Sequence, residues 1–166
     1  FYILIILFKT GNVLSNNNIF NVNNIEIAEE NFENKEKLIN QAVLKGFDQL
    51  FLNAPDSWNV AFSRGFSWYD MAPDQLPGIQ RSYELLESLV LDLEQRGYCR
   101  NDILLFGFSQ GCLMSLELAV RSRLPFMGVI GVSGTVYEVE SLLQKQQAGS
   151  KQTPFFLTHG YGDEIL

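Results

Sequence analysis

The chain has 166 residues, of which 46% are hydrophobic and 19% are charged. This balance supports one folded domain spanning residues 1–166 and excludes wholesale disorder. The formal net charge is -7, with 12 lysines and arginines against 19 acidic residues. Nucleic-acid binding is therefore not expected, because phosphate contacts require a basic surface.

Two features of the sequence bear on membranes and on the cellular compartment. The apolar run Phe1–Phe8 is too short to cross a bilayer as a helix, so we expect no membrane span and predict a buried parallel strand. Cys99 and Cys112 have neither metal-site spacing nor disulfide density, which indicates two reduced thiols and favours a cytoplasmic protein. Because no methionine starts the chain, we expect its N terminus to be incomplete.

The first half of the chain begins with an asparagine-rich stretch at residues 11–24, which predicts a surface loop. Helical periodicity follows from Asn31 to about Lys45, and Gly46 ends it. The run Phe47–Ala54 then predicts a strand.

The segment Asp56–Leu76 is unusually rich in aromatic residues for a loop. The cluster consists of Trp58, Phe62, Phe66, Trp68 and Tyr69. Such a segment predicts packing, either in the core or against a ligand. The next stretch, Pro77–Arg96, has apolar residues at intervals of three and four and predicts a helix that Gly97 terminates.

The last third of the chain alternates short apolar runs with helical patterns. Strands are predicted at Asp102–Phe106, Phe126–Val132 and Phe155–Thr158, and helices at about Gly111–Arg121 and near Val136–Gln147. This alternation predicts a mostly parallel central sheet with helices on both faces.

Residues 107–111 read Gly-Phe-Ser-Gln-Gly and place Ser109 between a predicted strand and a predicted helix. In that context a G-x-S-x-G pattern is typical of a strained turn that exposes a nucleophilic hydroxyl. The helix start directs its positive dipole end at a developing oxyanion, and the backbone N–H of Gln110 is the natural first donor. The plain alternative is a tight turn whose serine has no chemical role.

Four segments agree in order and spacing with one known family. They are NAP at 53–55, SWYD at 67–70, FGFSQGCLMSLELA around Ser109, and THGYGD at 158–163. From about Phe47 onward the chain resembles the phospholipase/carboxylesterase family, which includes acyl-protein thioesterases and bacterial carboxylesterases. The resemblance implies an α/β-hydrolase fold.

The resemblance also implies roles for five residues. Ser109 matches the catalytic nucleophile, and Asp163 matches the acid of the triad. Gln110 matches the oxyanion-hole residue. Trp68 and Tyr69 lie in a segment that lines the acyl-binding side of the cleft in the family, so they are the expected substrate-binding residues. No cofactor and no metal are expected.

The sequence departs from the family at two places. The family's catalytic histidine follows the acid, whereas the only histidine here, His159, precedes Asp163, so we expect His159 to be structural and the chain to be truncated at its C terminus and nearly inactive. The family also has a histidine-glycine turn after its first central strand. This chain has Thr10-Gly11 there, so either a backbone N–H of Thr10 or Gly11 substitutes as an oxyanion donor or this stretch is not native.

The sequence thus predicts a serine hydrolase that cleaves small carboxylic esters or acyl thioesters through an acyl-enzyme on Ser109. A non-catalytic hydrolase-fold binding protein is the alternative, while a flavodoxin-like domain would lack the elbow around Ser109. Cys112 is predicted to be a small buried hydrophobe rather than a reactive thiolate. The acyl-chain length and the oligomeric state are not indicated.

Overall fold

A computed structural model describes residues 4–9, 47–60, 63–70 and 74–162. In chain order, its strands and helices are β1 (Leu4–Lys9), β2 (Phe47–Leu52), β3 (Asp56–Val60), β4 (Ser63–Ser67), α1 (Leu76–Gln95), β5 (Ile103–Phe108), α2 (Gln110–Val120), β6 (Gly128–Val132), α3 (Val139–Gln144) and β7 (Phe155–Thr158). The elements predicted in this part of the chain are confirmed with small shifts of their ends, but the antiparallel pair β3–β4 lies in the segment expected to be a packed loop. The loop expected at 11–24 and the helix expected at 31–45 lie outside the described residues.

The central sheet has five strands in the order β2-β1-β5-β6-β7. Strands β5, β6 and β7 are parallel, whereas β1 is antiparallel to both β2 and β5. Four strands therefore share one direction, as the predicted mostly parallel sheet requires. The burial predicted for the first strand is confirmed, since Ile6 is 0% exposed. The parallel direction predicted for it is wrong, because an apolar run indicates burial but carries no information on strand direction.

The register of the sheet determines which strand ends lie near each other. Phe108 pairs with Val132, and Val132 pairs with Thr158, so β5, β6 and β7 end at the same edge. Phe8 pairs with Ile103, the first residue of β5. The C-terminal end of β1 therefore lies at the edge of the sheet opposite Ser109.

Helix α1 begins and ends as its sequence pattern predicts. Pro77 occupies its first turn, where a missing N–H costs nothing. At its end, Gly97 has φ 96° and donates to Glu94 O, while Tyr98 N donates to Leu93 O at 3.1 Å. These bonds form a Schellman motif, which requires the left-handed conformation that glycine adopts without strain.

Helix α2 is the centre of the core. It is buried from Gln110 to Ala119, it contacts β1, β5 and β6, and α1 and α3 contact it in turn. The described residues include no helix packed on the other face of the sheet, where Leu104 and Phe106 remain half-buried. Within the described ranges, no helix combines the length and the apolar character that a membrane crossing requires.

Candidate active site

Ser109 lies in a strained turn between β5 and α2. Its backbone has φ 55° and ψ -121°, a conformation that residues with a side chain rarely adopt. Ser109 N donates to Val132 O at 3.0 Å, and Ser109 O accepts from Cys112 N at 2.9 Å. The turn is thus fixed on both sides and has the geometry that the G-x-S-x-G pattern predicts.

Two glycines allow the close packing around this turn. A Cβ on Gly107 would lie 2.1 Å from Gly111 O, and one on Gly134 would lie 2.4 Å from Cys112 Cβ and 3.2 Å from Ser109 O. The loop after β6 therefore packs directly behind the serine. Gly107 is part of the predicted motif, whereas no sequence signal identifies Gly134.

The start of α2 follows Ser109 directly, and its first turn is bonded to the backbone of the serine. Cys112 N and Leu113 N both donate to Ser109 O, at 2.9 Å and 3.4 Å. Gln110 and Gly111 precede them in the first turn, at the positive end of the helix dipole. The predicted oxyanion donor, the backbone N–H of Gln110, belongs to this first turn of α2, and its role stays a prediction.

The side chain of Gln110 points away from this space and binds the SWYD segment. Its Oε1 accepts from Trp68 N at 2.8 Å and from Ser67 Oγ at 3.1 Å, and its Nε2 donates to Tyr69 O at 2.9 Å. Only 3% of Gln110 is exposed. Sequence reasoning assigned Gln110 a backbone role only, and nothing in the motif signals this second one.

The aromatic segment after the β3–β4 hairpin is packed into the core. Trp68 is 0% exposed and Tyr69 is 7% exposed, Ser82 Oγ donates to Trp68 O, and a Cβ on Gly78 would lie 2.8 Å from Tyr69 Cβ. The sequence predicted that this segment packs either in the core or against a ligand, and Trp68 and Tyr69 pack in the core. Their predicted contact with substrate stays a prediction.

The second oxyanion donor, expected from the backbone N–H of Thr10 or Gly11 after the first strand, stays a prediction. Thr10 and Gly11 lie outside the described residues. However, β1 ends at Lys9, which pairs with Phe47, and Phe8 lies beside the start of β5. Because β1 runs antiparallel to β5, its C-terminal end lies at the opposite edge of the sheet from Ser109.

His159 follows β7 directly and lies at the same sheet edge as Ser109. Thr158 O accepts from Ser133 N at 2.9 Å, which joins the ends of β6 and β7, and His159 is exposed. One strand separates β5 from β7, so their ends are about 10 Å apart at normal strand spacing. Asp163 lies outside the described residues, and its role as the acid stays a prediction.

The thiol of Cys112 is part of the packing behind the turn. Cys112 is 4% exposed, and burial raises the pKa of its thiol, which confirms the predicted small buried hydrophobe. Cys99 is exposed and Cys112 is not bonded to it. Within the described ranges, no three histidine, cysteine or acidic side chains are grouped so as to hold a metal ion.

Comparisons with known proteins agree with this geometry. An acyl-protein thioesterase 1 from Yarrowia lipolytica is 35% identical over 108 residues, which covers 60% of this chain and 47% of that protein. The lysophospholipase-like protein 1 of Mus musculus is 29% identical over 126 residues, which covers 70% of this chain and 53% of that protein. The chain thus spans about half the length of these curated relatives.

Solved structures share the fold. Arabidopsis thaliana SOBER1 superposes with a TM-score of 0.66 at 19% identity, over 78% of this chain and 66% of that one, and this likeness concerns the fold alone. Esterase PE8 gives a TM-score of 0.52 at 30% identity, over 66% of this chain and 52% of that one. A family model described as Phospholipase/Carboxylesterase matches residues 41–166. Since that match covers most of the chain, including the turn at Ser109, the chain belongs to the phospholipase/carboxylesterase family.

Proposed function

We propose that the protein containing these residues is a serine hydrolase that cleaves carboxylic esters or thioesters through an acyl-enzyme on Ser109. The observation that carries this proposal is the backbone of Ser109, with φ 55° in a turn that leads directly into α2. A strained serine held at a helix start is of little use to packing and is what an exposed nucleophile requires. The esterase and thioesterase names of the relatives support it.

The proposed reaction has two steps. Ser109 Oγ attacks the carbonyl carbon, its proton passes to a base, and the base then protonates the departing alcohol or thiol. Water next attacks the acyl-enzyme, with the same base removing its proton, and the acid is released. The negative charge on the carbonyl oxygen is stabilised by Gln110 N–H at the positive end of α2.

The base in this proposal is a histidine outside residues 1–166, oriented by Asp163. His159 precedes Asp163, whereas the triad of this fold runs serine, acid, histidine along the chain. By itself, Ser109 without a base is a weak nucleophile.

The proposed substrates are small molecules with an ester or acyl-thioester bond, and the proposed location is the cytoplasm. The names of the relatives, acyl-protein thioesterase and lysophospholipase-like protein, support both bond types. The exposed thiol of Cys99 supports a reducing compartment. No cofactor takes part in the proposed steps.

The proposal is tested by steady-state hydrolysis of an ester and a thioester with the full-length protein. We expect Ser109→Ala to lower kcat by about 10³-fold or more. The matched control is Ser88→Ala on the exposed face of α1, which should stay within about twofold of wild type because surface substitutions have small effects.

Two results would contradict the proposal. Undiminished turnover by Ser109→Ala would exclude the serine as nucleophile. A folded wild-type protein that binds esters without cleaving them would favour the alternative, a non-catalytic binding protein.

A further inference from the structure

The start of α2 lacks the usual means of fixing a helix terminus. Ser109 is the residue before the helix, and serine is a favourable N-cap, but its side chain makes no capping hydrogen bond. A hydroxyl that must face a substrate cannot also cap the helix. The first turn therefore needs another restraint, because the terminal N–H groups of a helix have no partners within the helix and the ends fray.

The side chain of Gln110 provides such a restraint. It is the first helical residue, and three hydrogen bonds of 2.8 to 3.1 Å join its amide to Ser67, Trp68 and Tyr69. The bonded segment is itself fixed on its far side, where Ser82 Oγ from α1 donates to Trp68 O. The start of α2 is thus tied to α1 through a buried strand end rather than through its own cap.

The bonding pattern suits an amide and no other side chain of this length. Oε1 accepts from the Trp68 N–H, Nε2 donates to the Tyr69 carbonyl, and the single proton of the Ser67 hydroxyl is shared between Tyr69 O at 2.6 Å and Gln110 Oε1 at 3.1 Å. A carboxylate would have no donor for Tyr69 O, and an apolar side chain would remove the bond of the buried Trp68 N–H to Gln110 and leave Tyr69 O with the hydroxyl of Ser67. The residue whose side chain is held here is also the residue whose N–H is the proposed oxyanion donor.

We propose that the side-chain amide of Gln110 is a positioning group, which fixes the direction of its own backbone N–H beside Ser109 by binding residues 67–69. This inference rests on the proposed function. An oxyanion donor stabilises the transition state more than the bound substrate. Loss of the side-chain bonds should therefore lower kcat and leave KM nearly unchanged, which a purely structural role would not do.

The experiment compares Gln110→Met with wild type in the full-length protein. We expect kcat to fall about tenfold, less than the roughly 10² to 10³ lost when a donor is removed outright, with KM within about twofold. Hydrogen exchange at the Trp68 N–H should accelerate by about fivefold to tenfold, since its buried bond to Gln110 Oε1 is lost. The exchange measurement does not depend on activity.

Three further variants control the comparison. Gln95→Met removes an exposed glutamine from the end of α1 and should change nothing. Ser82→Ala loosens the same segment from its other side, so it should lower thermal stability and lower kcat by less than Gln110→Met does, since the bonds of Gln110 itself remain. If Gln110→Met does not fold, Ser67→Ala removes the hydroxyl that bonds both Gln110 Oε1 and Tyr69 O and should lower kcat by about twofold to threefold.

The outcomes separate this inference from the proposed function. Faster exchange at Trp68 with unchanged kcat in Gln110→Met would overturn the positioning role and leave only a structural one. Unchanged exchange would also overturn it, because the bonds would then not hold the segment in solution. Absence of turnover in the wild type, with the exchange difference still present, would instead count against the proposed function on which the inference rests.

Discussion

At an ordinary helix start one residue both forms the turn and caps the helix. Here Ser109 forms the turn, and its neighbour Gln110 restrains the start of the helix. A positive φ on a residue with a side chain costs on the order of 1 to 3 kcal/mol, and the bonds to Val132 O and from Cys112 N hold Ser109 in that conformation. Its hydroxyl makes no cap bond. The restraint on the helix start comes from Gln110 instead, so the serine is available for chemistry.

The two thiols should differ strongly in reactivity. Burial raises the pKa of Cys112, so at about pH 8 a smaller fraction is thiolate, while Cys99 is exposed. With iodoacetamide on the native full-length protein, we expect Cys99 to be modified at least about tenfold faster than Cys112. Mass spectrometry of the digested protein measures both rates, and equal rates would show that Cys112 is accessible.

At the scale of elements, the crossing of β5 over α2 leaves no room for a side chain at Gly107. An added Cβ would lie 2.1 Å from Gly111 O, and backbone cannot move aside as a flexible side chain can. We expect Gly107→Ala to lower the free energy of unfolding by about 3 kcal/mol, the upper end of overpacking effects. Denaturant unfolding of the full-length protein measures this change.

Gly128→Ala is the matched control for that substitution. Gly128 is also a buried strand glycine, but its added Cβ would lie 3.3 Å from Leu104 Cδ1, the end of a side chain. We expect a loss below about 1 kcal/mol. Equal losses for the two variants would mean that the strand–helix crossing is not tight.

A second element-scale link joins α1 to the chain around Arg100. Arg100 is 6% exposed, and its guanidinium binds Glu87 at 3.0 Å, Glu94 at 2.9 Å and Ser122 Oγ at 3.0 Å. Burial by itself disfavours the charge, but the hydrogen bonds to Glu94 and Glu87 raise the pKa of Arg100 above its ordinary value. Arg100 is therefore charged and paired.

Removing this guanidinium should leave two carboxylates without their partner. We expect Arg100→Met to cost about 3 kcal/mol of unfolding free energy, the lower end for a broken buried pair because the carboxylates are partly exposed. Arg96→Met, which breaks the more exposed pair with Asp92, should cost about 0.5 kcal/mol or less. Similar losses in chemical denaturation would show that the buried network adds no stability.

At the scale of the whole molecule, the sequence predicted the order of elements better than their directions. The periodicity of α1 and the glycine at its end identify that helix almost to the residue, because both signals are local. The direction of β1 depends on its pairing with β2 and β5, which no local pattern encodes. The G-x-S-x-G pattern between a predicted strand and a predicted helix identified the turn at Ser109, and the match over residues 41–166 confirms the family resemblance.

What the sequence could not predict at the site comes from contacts between distant residues. Gln110 binds residues that precede it by 41 to 43 positions, and Gly134 packs behind Ser109 from the loop after β6. Neither contact can be predicted from a short sequence motif, because the residues that make it are far apart in the chain. The burial of Trp68 is similar, because aromatic composition predicts packing but not whether the partner is core or ligand.

The proposed role of Asp163 as the triad acid can be tested only in the full-length protein, because its partner histidine is proposed to lie outside residues 1–166. In the full-length protein we expect Asp163→Asn to lower kcat by about 10⁴-fold, because the imidazole loses its orienting carboxylate. The neighbouring Glu164→Gln is the control and should retain nearly full turnover. If instead Glu164→Gln loses activity and Asp163→Asn keeps it, the acid is misassigned.

The most direct measurement of the central claim is active-site labelling of the full-length protein with a fluorophosphonate, followed by mass spectrometry of the peptides. An activated serine reacts with this probe, whereas ordinary hydroxyls do not. The proposed function predicts a single adduct on Ser109, and its loss in Ser109→Ala. A folded protein that carries no adduct, or carries it on another residue, would contradict the assignment of Ser109 as the nucleophile.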